Sequence, residues 1–111
     1  MTVTVKVLIP AKTAENSQTT QYTANGVTTI IDKFTATNYN TAAATISVNL
    51  VTAAGSASND NLIVKTKTLQ AGETYTFPEL VGQVLASSGF ISTIAGTASA
   101  INIRVSGREV S

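Results

Sequence analysis

More than a third of this chain is β-branched, because Thr, Val and Ile together account for 39 of its 111 residues. Such side chains lose rotamer freedom in a helix and pack well on the pleated surface of a sheet. Residues 44–52 alternate cleanly, with Ile46, Val48 and Leu50 facing one way. The segment Ile101–Val105 alternates likewise, so we expect these two strands to form facing layers of the core. The sequence predicts an all-β domain, a single two-sheet antiparallel β-sandwich or jelly roll of about seven or eight strands.

Two local signals interrupt the strand pattern. Asn25 and Gly26 tolerate the positive φ angles of a two-residue turn, so they predict a hairpin between the strands on either side. Pro78 suits the first position of a helix, Glu79 complements the dipole of its first turn, and apolar residues follow at helical spacing. We therefore expect one short helix or 3₁₀ segment near residues 78–86, capping an open end of the sandwich.

The amino end differs from the rest of the chain. Residues Thr2–Ile9 alternate as a strand that Pro10 should stop, and residues 11–20 have no apolar side chain larger than Ala. Because such a connection covers no core, we expect an N-terminal strand or arm at residues 1–20 beside a β-sandwich domain at residues 21–111. The unpaired edge of the arm would add to a sheet of a neighbouring subunit, whereas the competing interpretation makes Thr2–Ile9 an integral strand of its own sandwich. The candidate contact residues of this arm are Val3, Val5, Val7, Ile9 and Lys12.

The residue types used most in catalysis and metal binding are missing. The chain has neither Cys nor His, which removes thiolate nucleophiles, the usual general base at neutral pH and the commonest transition-metal ligands. A net charge of +1 with 12% charged residues argues against electrostatic binding of nucleic acid. Polar residues interrupt every long uncharged stretch, unlike a membrane span. We expect no enzyme activity, no cofactor, no metal, and neither nucleic acid nor a membrane as partner.

The acidic residues form no evident catalytic pair. A glycosidase needs two carboxylates flanking a sugar, whereas Asp60, Glu73 and Glu79 occur where turns or a helix start are expected. Asp60 lies between Asn59 and Asn61, and this single charge favours a turn over a calcium loop. The full set of acids is Glu15, Asp32, Asp60, Glu73, Glu79 and Glu109.

Several other polar residues have both a structural and a functional interpretation. Lys65 and Lys67 share one face of a predicted strand, either as edge protection or as a contact for phosphate or an acidic partner. Arg108 and Glu109 would suit an ion pair across a subunit contact. The tyrosines would suit sugar stacking, but their spread over a turn flank, a loop and a strand favours separate packing roles. They are Tyr22, Tyr39 and Tyr75.

The stretch from Thr28 to Val110 resembles a recurrent group of small virion proteins of tailed bacteriophages. The resemblance is carried by the AGET turn at Ala71–Thr74, the L-x-G-x-V-L segment at Leu80–Leu85, Gly89 before the next strand, and S-G-x-E at Ser106–Glu109. These marks belong to turns and strands, and none is a catalytic motif. Such proteins use the same β-sandwich plan for capsid decoration or cement proteins, head fibres, and tail or baseplate parts.

The resemblance implies a non-enzymatic structural protein of the virion, first of all a capsid decoration or cement protein that stabilises the head through subunit contacts. Its expected partners are further copies of itself, as a dimer or trimer, and the major capsid protein or other virion proteins. Its expected location is the particle surface, after assembly in the host cytoplasm. A tail, fibre or adaptor component is the alternative within the virion, and a carbohydrate-binding adhesin module is the alternative outside it.

Overall fold

The strands of the chain form two antiparallel sheets that pack face to face. The computed structural model describes all 111 residues, Met1–Ser111. The strands are β1 (Val3–Thr13), β2 (Thr19–Thr23), β3 (Thr28–Asn38), β4 (Ala44–Val51), β5 (Leu62–Leu69), β6 (Thr74–Thr76), β7 (Val84–Leu85), β8 (Phe90–Ala95) and β9 (Ile101–Val110). The first sheet has the order β1-β9-β3-β6, with β7 also paired to β3, and the second has the order β2-β8-β4-β5. A 3₁₀ turn at Asn59–Asn61 is the one helical segment, and no helix has the length and apolar character needed to cross a membrane.

The pairing order is that of a jelly roll. The antiparallel pairs β1·β9, β2·β8, β3·β6 and β4·β5 nest inside one another, like one long hairpin whose tip is the connection between β4 and β5. Rolling up that hairpin brings β3 beside β9 and β4 beside β8, which completes both sheets. The predicted β-sandwich is therefore confirmed, and its topology is the jelly-roll form.

The core between the sheets contains the two predicted layers. β4 buries Ile46 and Val48, and Leu50 is half-buried against the core. The three apolar residues of β9 predicted to face this layer are all fully buried. Phe34 and Phe77 meet edge to face, with ring centroids 5.1 Å apart, the geometry that the ring quadrupoles favour.

The short helix expected near residues 78–86 is absent. The backbone makes successive turns there, and Val84–Leu85 then joins β3 as strand β7. Gly82 adopts a left-handed φ of 83° and donates its N–H to the Ile31 carbonyl at 2.7 Å. A left-handed residue ends the helical hydrogen-bond ladder, and the free edge of β3 supplies the replacement bonds. The helix prediction was wrong because the apolar spacing that buries Leu80 fits a pair of turns equally well.

The hairpin expected at Asn25 and Gly26 is also absent. These residues do turn the chain, with Gly26 at a φ of 72°, but β2 before them belongs to the second sheet and β3 after them to the first. β2 pairs with β8 and β3 with β9, so both strands prefer partners far away in sequence. The signal identified a turn correctly and the partners of the flanking strands wrongly.

The first twenty residues belong to the sandwich itself. β1 continues past Pro10 and pairs with β9 along its length. Proline is tolerated because β1 is an edge strand and the register shifts beside it. The core includes three apolar side chains from this region, Leu8, Ile9 and Ala14. Instead of the expected division into residues 1–20 and residues 21–111, the two parts share one sheet and one core.

Candidate functional site

The most unusual surface of the molecule is the first half of β1. Val3, Val5 and Val7 are 51%, 82% and 38% exposed, although Val is a residue that folded chains usually bury. They oppose Val110, Arg108 and Ser106 of β9, so all of them lie on the outer face of the first sheet. We call the stretch Val3–Val7 the valine edge.

The backbone of the valine edge is open as well. Thr2 and Ser111 exchange two hydrogen bonds of 2.8 and 2.9 Å between their N–H and C=O groups. Because bonded positions alternate in an antiparallel ladder, Thr4 and Lys6 also bond to β9, and the N–H and C=O groups of the three valines point away from it. β1 is the last strand of its sheet, so no strand of the chain lies beside these groups.

The apolar surface continues from the valine edge across the sheet. Val5 lies in one cross-strand row with Arg108 of β9, Ile30 of β3 and Val84 of β7. Val84 is 57% exposed and Ile30 is half-buried. Exposed apolar residues that cluster on one face of a sheet mark an interaction surface more often than the same residues scattered singly.

The one charge in this row is neutralised within the chain. Arg108 donates from Nε to both carboxylate oxygens of Asp32 at 3.1 and 3.0 Å, and from a terminal nitrogen at 2.9 Å. The hydrogen bonds and charge of Asp32 raise the pKa of the Arg108 guanidinium. Glu109 points to the opposite face, because neighbouring residues of a strand alternate, and the ion pair expected of Arg108 and Glu109 across a subunit contact stays a prediction.

Glu109 instead lies on the inner side, in a polar cluster that joins the two sheets. Tyr22 of the second sheet donates its hydroxyl hydrogen bond to Glu109 and contacts the Thr29 hydroxyl at 2.7 Å. Lys6 lies 3.3 Å from the Glu109 carboxylate. The Tyr22 hydroxyl, followed by Lys6, lowers the pKa of Glu109. Burial, followed by the hydrogen bond to Glu109, raises the pKa of Tyr22 to about 12, so this phenol stays protonated and acts as a fixed donor.

The structure brings together only part of the predicted contact set. Val3, Val5 and Val7 are exposed side by side, but a register shift after Val7 turns Ile9 inward, where it is buried in the core of its own chain. Because it is buried, Ile9 is removed from the candidate contact residues; the bulge interrupts the strict alternation on which its prediction depended. Lys12, the fifth candidate, pairs with Glu15 at 3.0 Å.

A second candidate site lies on the outside of the second sheet. It is a small cleft of about 200 Å³ between β5 and the connection from β4. Thr66 at this cleft has a φ of 44°, a left-handed backbone that is strained for a β-branched residue. The polar residues that line it are Gln18, Ser47, Asn49, Ser58, Asn59, Lys65 and Thr66.

The two lysines of β5 do not share a face. Lys65 lines the cleft, whereas Lys67 lies over the Tyr75 ring, with its amino group 4.4 Å from the centroid. Two residues of β5 fall between the partners of Ile46 and Val48, so a bulge separates the lysines. The prediction of a shared face was wrong for that reason.

The tyrosines have separate roles, as predicted. Tyr22 joins the sheets, Tyr39 contacts the Thr13 hydroxyl at 3.0 Å, and Tyr75 donates to Glu79 at 3.2 Å. The predicted turn at Asn59–Asn61 is also confirmed, as a 3₁₀ turn capped by Ser58.

The acidic side chains are dispersed, and five of them accept hydrogen bonds from neighbouring groups. No three of them lie together in a group that could hold a metal ion. The five are Glu15, Asp32, Glu73, Glu79 and Glu109.

Two buried amides were missed by the sequence analysis. Asn49 donates to the Ser58 carbonyl at 2.9 Å and to the Asn61 side chain at 2.8 Å. Asn38 donates to the carbonyls of Ala42 and Leu69, both at 2.9 Å. Each amide lies at or next to an alternating apolar segment, a position where it requires hydrogen-bond partners if it is buried, and that signal was available.

Protein-family models, curated proteins and solved structures were all compared with the chain, and none of them matches it.

Proposed function

We propose that the chain is a non-enzymatic structural protein of a tailed-bacteriophage virion, and within that class a capsid decoration or cement protein. The observation that carries the proposal is the valine edge, where exposed apolar side chains and outward backbone groups occur on the same three residues. An isolated monomer gains no stability from either feature, and a regular open edge promotes aggregation. A subunit of a larger assembly uses both, because strand addition pairs the backbone and buries the valines.

Two further observations support the virion class. The stretch from Thr28 to Val110 resembles small virion proteins, and the jelly roll is a fold used by viral capsid proteins as well as by lectins. Most of the carboxylates hold structural contacts within the chain, which supports a role without catalysis. Since one fold serves many functions, the open edge carries more weight than the topology.

Copy number in the particle tests the proposal. In purified phage particles whose genome encodes this chain, we expect quantitative mass spectrometry to give a copy number of the chain proportional to that of the capsid subunits. A few copies per particle would assign it to the tail, fibre or adaptor alternative instead. Its absence from the particles would overturn the virion proposal.

The cement role has its own test. Particles that lack the chain should release their DNA at a lower temperature than complete particles, and adding back the purified chain should restore the difference. Equal release temperatures with and without the chain would leave it a decoration protein that does not stabilise the head.

Carbohydrate binding is the second candidate function, and the cleft of the second sheet is the observation that favours it. Gln18, Asn59, Thr66 and Lys65 are among the residues that line it, and the amide, hydroxyl and amino groups of such residues pair with sugar hydroxyls. A glycan array with the unmodified chain and with Asn59→Ala tests this function. Binding that Asn59→Ala abolishes supports it, and no binding to any glycan rejects it.

A further inference from the structure

We propose that β1 pairs with β1 of a second copy of the chain, antiparallel, about a two-fold axis that passes through Val5. This inference names the occupant of the valine edge and therefore rests on the proposed function. The two first sheets then join into one continuous sheet through their β1 strands.

The backbone of the valine edge fits this arrangement. With the axis at Val5, Val5 faces Val5 of the second copy, and Val3 faces Val7 of the second copy. Because the N–H and C=O groups of all three valines point outward, every pair of facing valines is of the hydrogen-bonded kind. The symmetric pairing thus satisfies all outward backbone groups of the valine edge at once.

The side chains are self-complementary in the same register. On the outer face each valine meets a valine, and β-branched pairs stabilise neighbouring strands. On the other face Thr4 meets Lys6 of the second copy, so no two like charges stand directly opposite. Lys6 is already paired with Glu109 at 3.3 Å. An interface made from one surface twice also has the symmetry of the commonest protein dimers.

The rest of β1 limits the pairing to this register. The register with β9 shifts after Val7 and again after Ile9, and Pro10 has no N–H to donate. Moving the axis to Val7 would place Val5 opposite the inward-turned Ile9, and moving it to Val3 would place Val5 opposite Met1. Only the axis at Val5 uses the three valines together. The register shifts and Pro10 thus protect the second half of β1 from pairing with another strand, whereas the first half, the valine edge, remains open.

Matched charge substitutions test the dimer. We expect the unmodified chain to show a concentration-dependent monomer–dimer equilibrium in sedimentation velocity and native mass spectrometry. Val5→Lys places two lysines on the axis, so it should raise the dimer dissociation constant by at least about tenfold. Ile63→Lys is the control, because Ile63 is also an exposed apolar residue of an edge strand but lies on β5 of the second sheet, outside the apolar surface that includes the valine edge. It should leave the dissociation constant unchanged.

Crosslinking tests the register, since the natural chain has no cysteine. In the proposed pair the two copies of residue 5 have Cα atoms about 5.5 Å apart, so Val5→Cys should crosslink readily with a short bifunctional thiol reagent. The two copies of residue 13 would be separated by roughly 50 Å along the strands. Thr13→Cys is exposed on the same strand and should give no crosslink.

Each outcome bears on the proposal. A chain that stays monomeric at all concentrations, or a dimer that Val5→Lys leaves intact, overturns the pairing. A crosslink at residue 13 without one at residue 5 overturns the register. Failure here is distinct from failure of the virion role: a monomeric chain that is abundant in particles retains the function, with a strand of another virion protein as the occupant of the edge.

Discussion

The outer faces of the two sheets differ in the side chains that they expose: the first exposes apolar residues, and the second buries polar ones. On the first sheet, Val5 and Val84 are 82% and 57% exposed. On the second, Ser47, Asn49 and Ser92 are almost completely buried, although they too point away from the core. Side-chain polarity alone therefore does not predict which positions of a strand are covered. A position is covered where another segment of the chain packs over the strand.

The cover of the second sheet comes from the tip of the rolled hairpin. The connection between β4 and β5 folds back and is held by the Asn49 amide, while Gln18 donates to Ser92 at 2.7 Å. These hydrogen bonds replace water around the buried polar groups. No connection of comparable length crosses the valine edge, so that face remains available for a partner.

The core shared by both sheets should show the largest effect and set the scale for the two outer faces. Ile103→Ala removes buried methylenes and leaves a cavity, so we expect the free energy of unfolding to fall by about 2–5 kcal/mol in urea denaturation. Arg104→Ala, at the next and exposed position, is the control and should change it by less than about 0.5 kcal/mol. A loss that small for Ile103→Ala would contradict the assignment of β9 to the core.

The outer face of the second sheet, which we call the closed face because a connection covers it, should depend on the Asn49 amide for its stability. Asn49→Ala removes the two hydrogen bonds that this buried amide donates to the Ser58 carbonyl and to the Asn61 side chain, so the free energy of unfolding should fall by about 1–3 kcal/mol. The connection from β4 to β5 should also become sensitive to limited proteolysis. Asn59→Ala, on the exposed side of the same turn, should alter neither measurement. Equal behaviour of the two variants would mean that the cover does not depend on Asn49.

The cluster between the sheets should make stability depend on pH at both extremes. The folded state lowers the pKa of Glu109 from 4.5, so this stabilisation is present above the unfolded pKa and is lost as the pH falls through the folded value. The folded state raises the pKa of Tyr22 from 10.0 to about 12, so this stabilisation is present below about pH 10 and is lost as the pH rises toward 12.

Tyr22→Phe tests both limbs in one variant. It should lower the free energy of unfolding by about 1 kcal/mol at neutral pH and flatten its decline in acid and in alkali. Tyr39→Phe, which removes an exposed hydroxyl, is the matched control. Unchanged pH profiles in Tyr22→Phe would show that the cluster does not tie the sheets together.

Substitutions on the outer face of the first sheet, which we call the open face because no connection covers it, should have the smallest effect on the stability of the monomer. Val84→Thr keeps the β-branched shape on an exposed position, so we expect a change below about 0.5 kcal/mol. Ser47→Ala on the closed face is the contrast, because its hydroxyl accepts the Thr66 N–H at 2.8 Å, and its loss should cost about 1 kcal/mol. The reverse order would remove the distinction between the two faces.

Strands with local alternation were predictable, and their partners were not. The predicted alternating segments at residues 44–52 and Ile101–Val105 correspond to β4 and to the first half of β9, because alternation is visible within a few residues. The hairpin predicted at Asn25 and Gly26 did not form because β2 pairs with β8, and β3 with β9 and β6, all of them far away in sequence. The helix predicted near residues 78–86 did not form because the Gly82 N–H bonds to the Ile31 carbonyl at the free edge of β3.

For the candidate site, the sequence identified Val3, Val5 and Val7 as residues that share a face. It misassigned Ile9, because the bulge that turns this residue inward arises from pairing with β9. Asn38 and Asn49 were overlooked, since the groups that satisfy them come from other elements of the fold.

The composition and local alternation of the chain are sufficient to specify an all-β domain, the position of most strands and the alternation of faces within each stretch that contains no bulge. Periodicity carries this information because the side-chain repeat of a strand extends over two residues only. Which strands become neighbours, where a bulge exchanges the faces and which outer face receives a cover depend on contacts between residues far apart in the chain. The free energy of those contacts is shared among many weak packing and hydrogen-bond terms, so no short segment of sequence contains it.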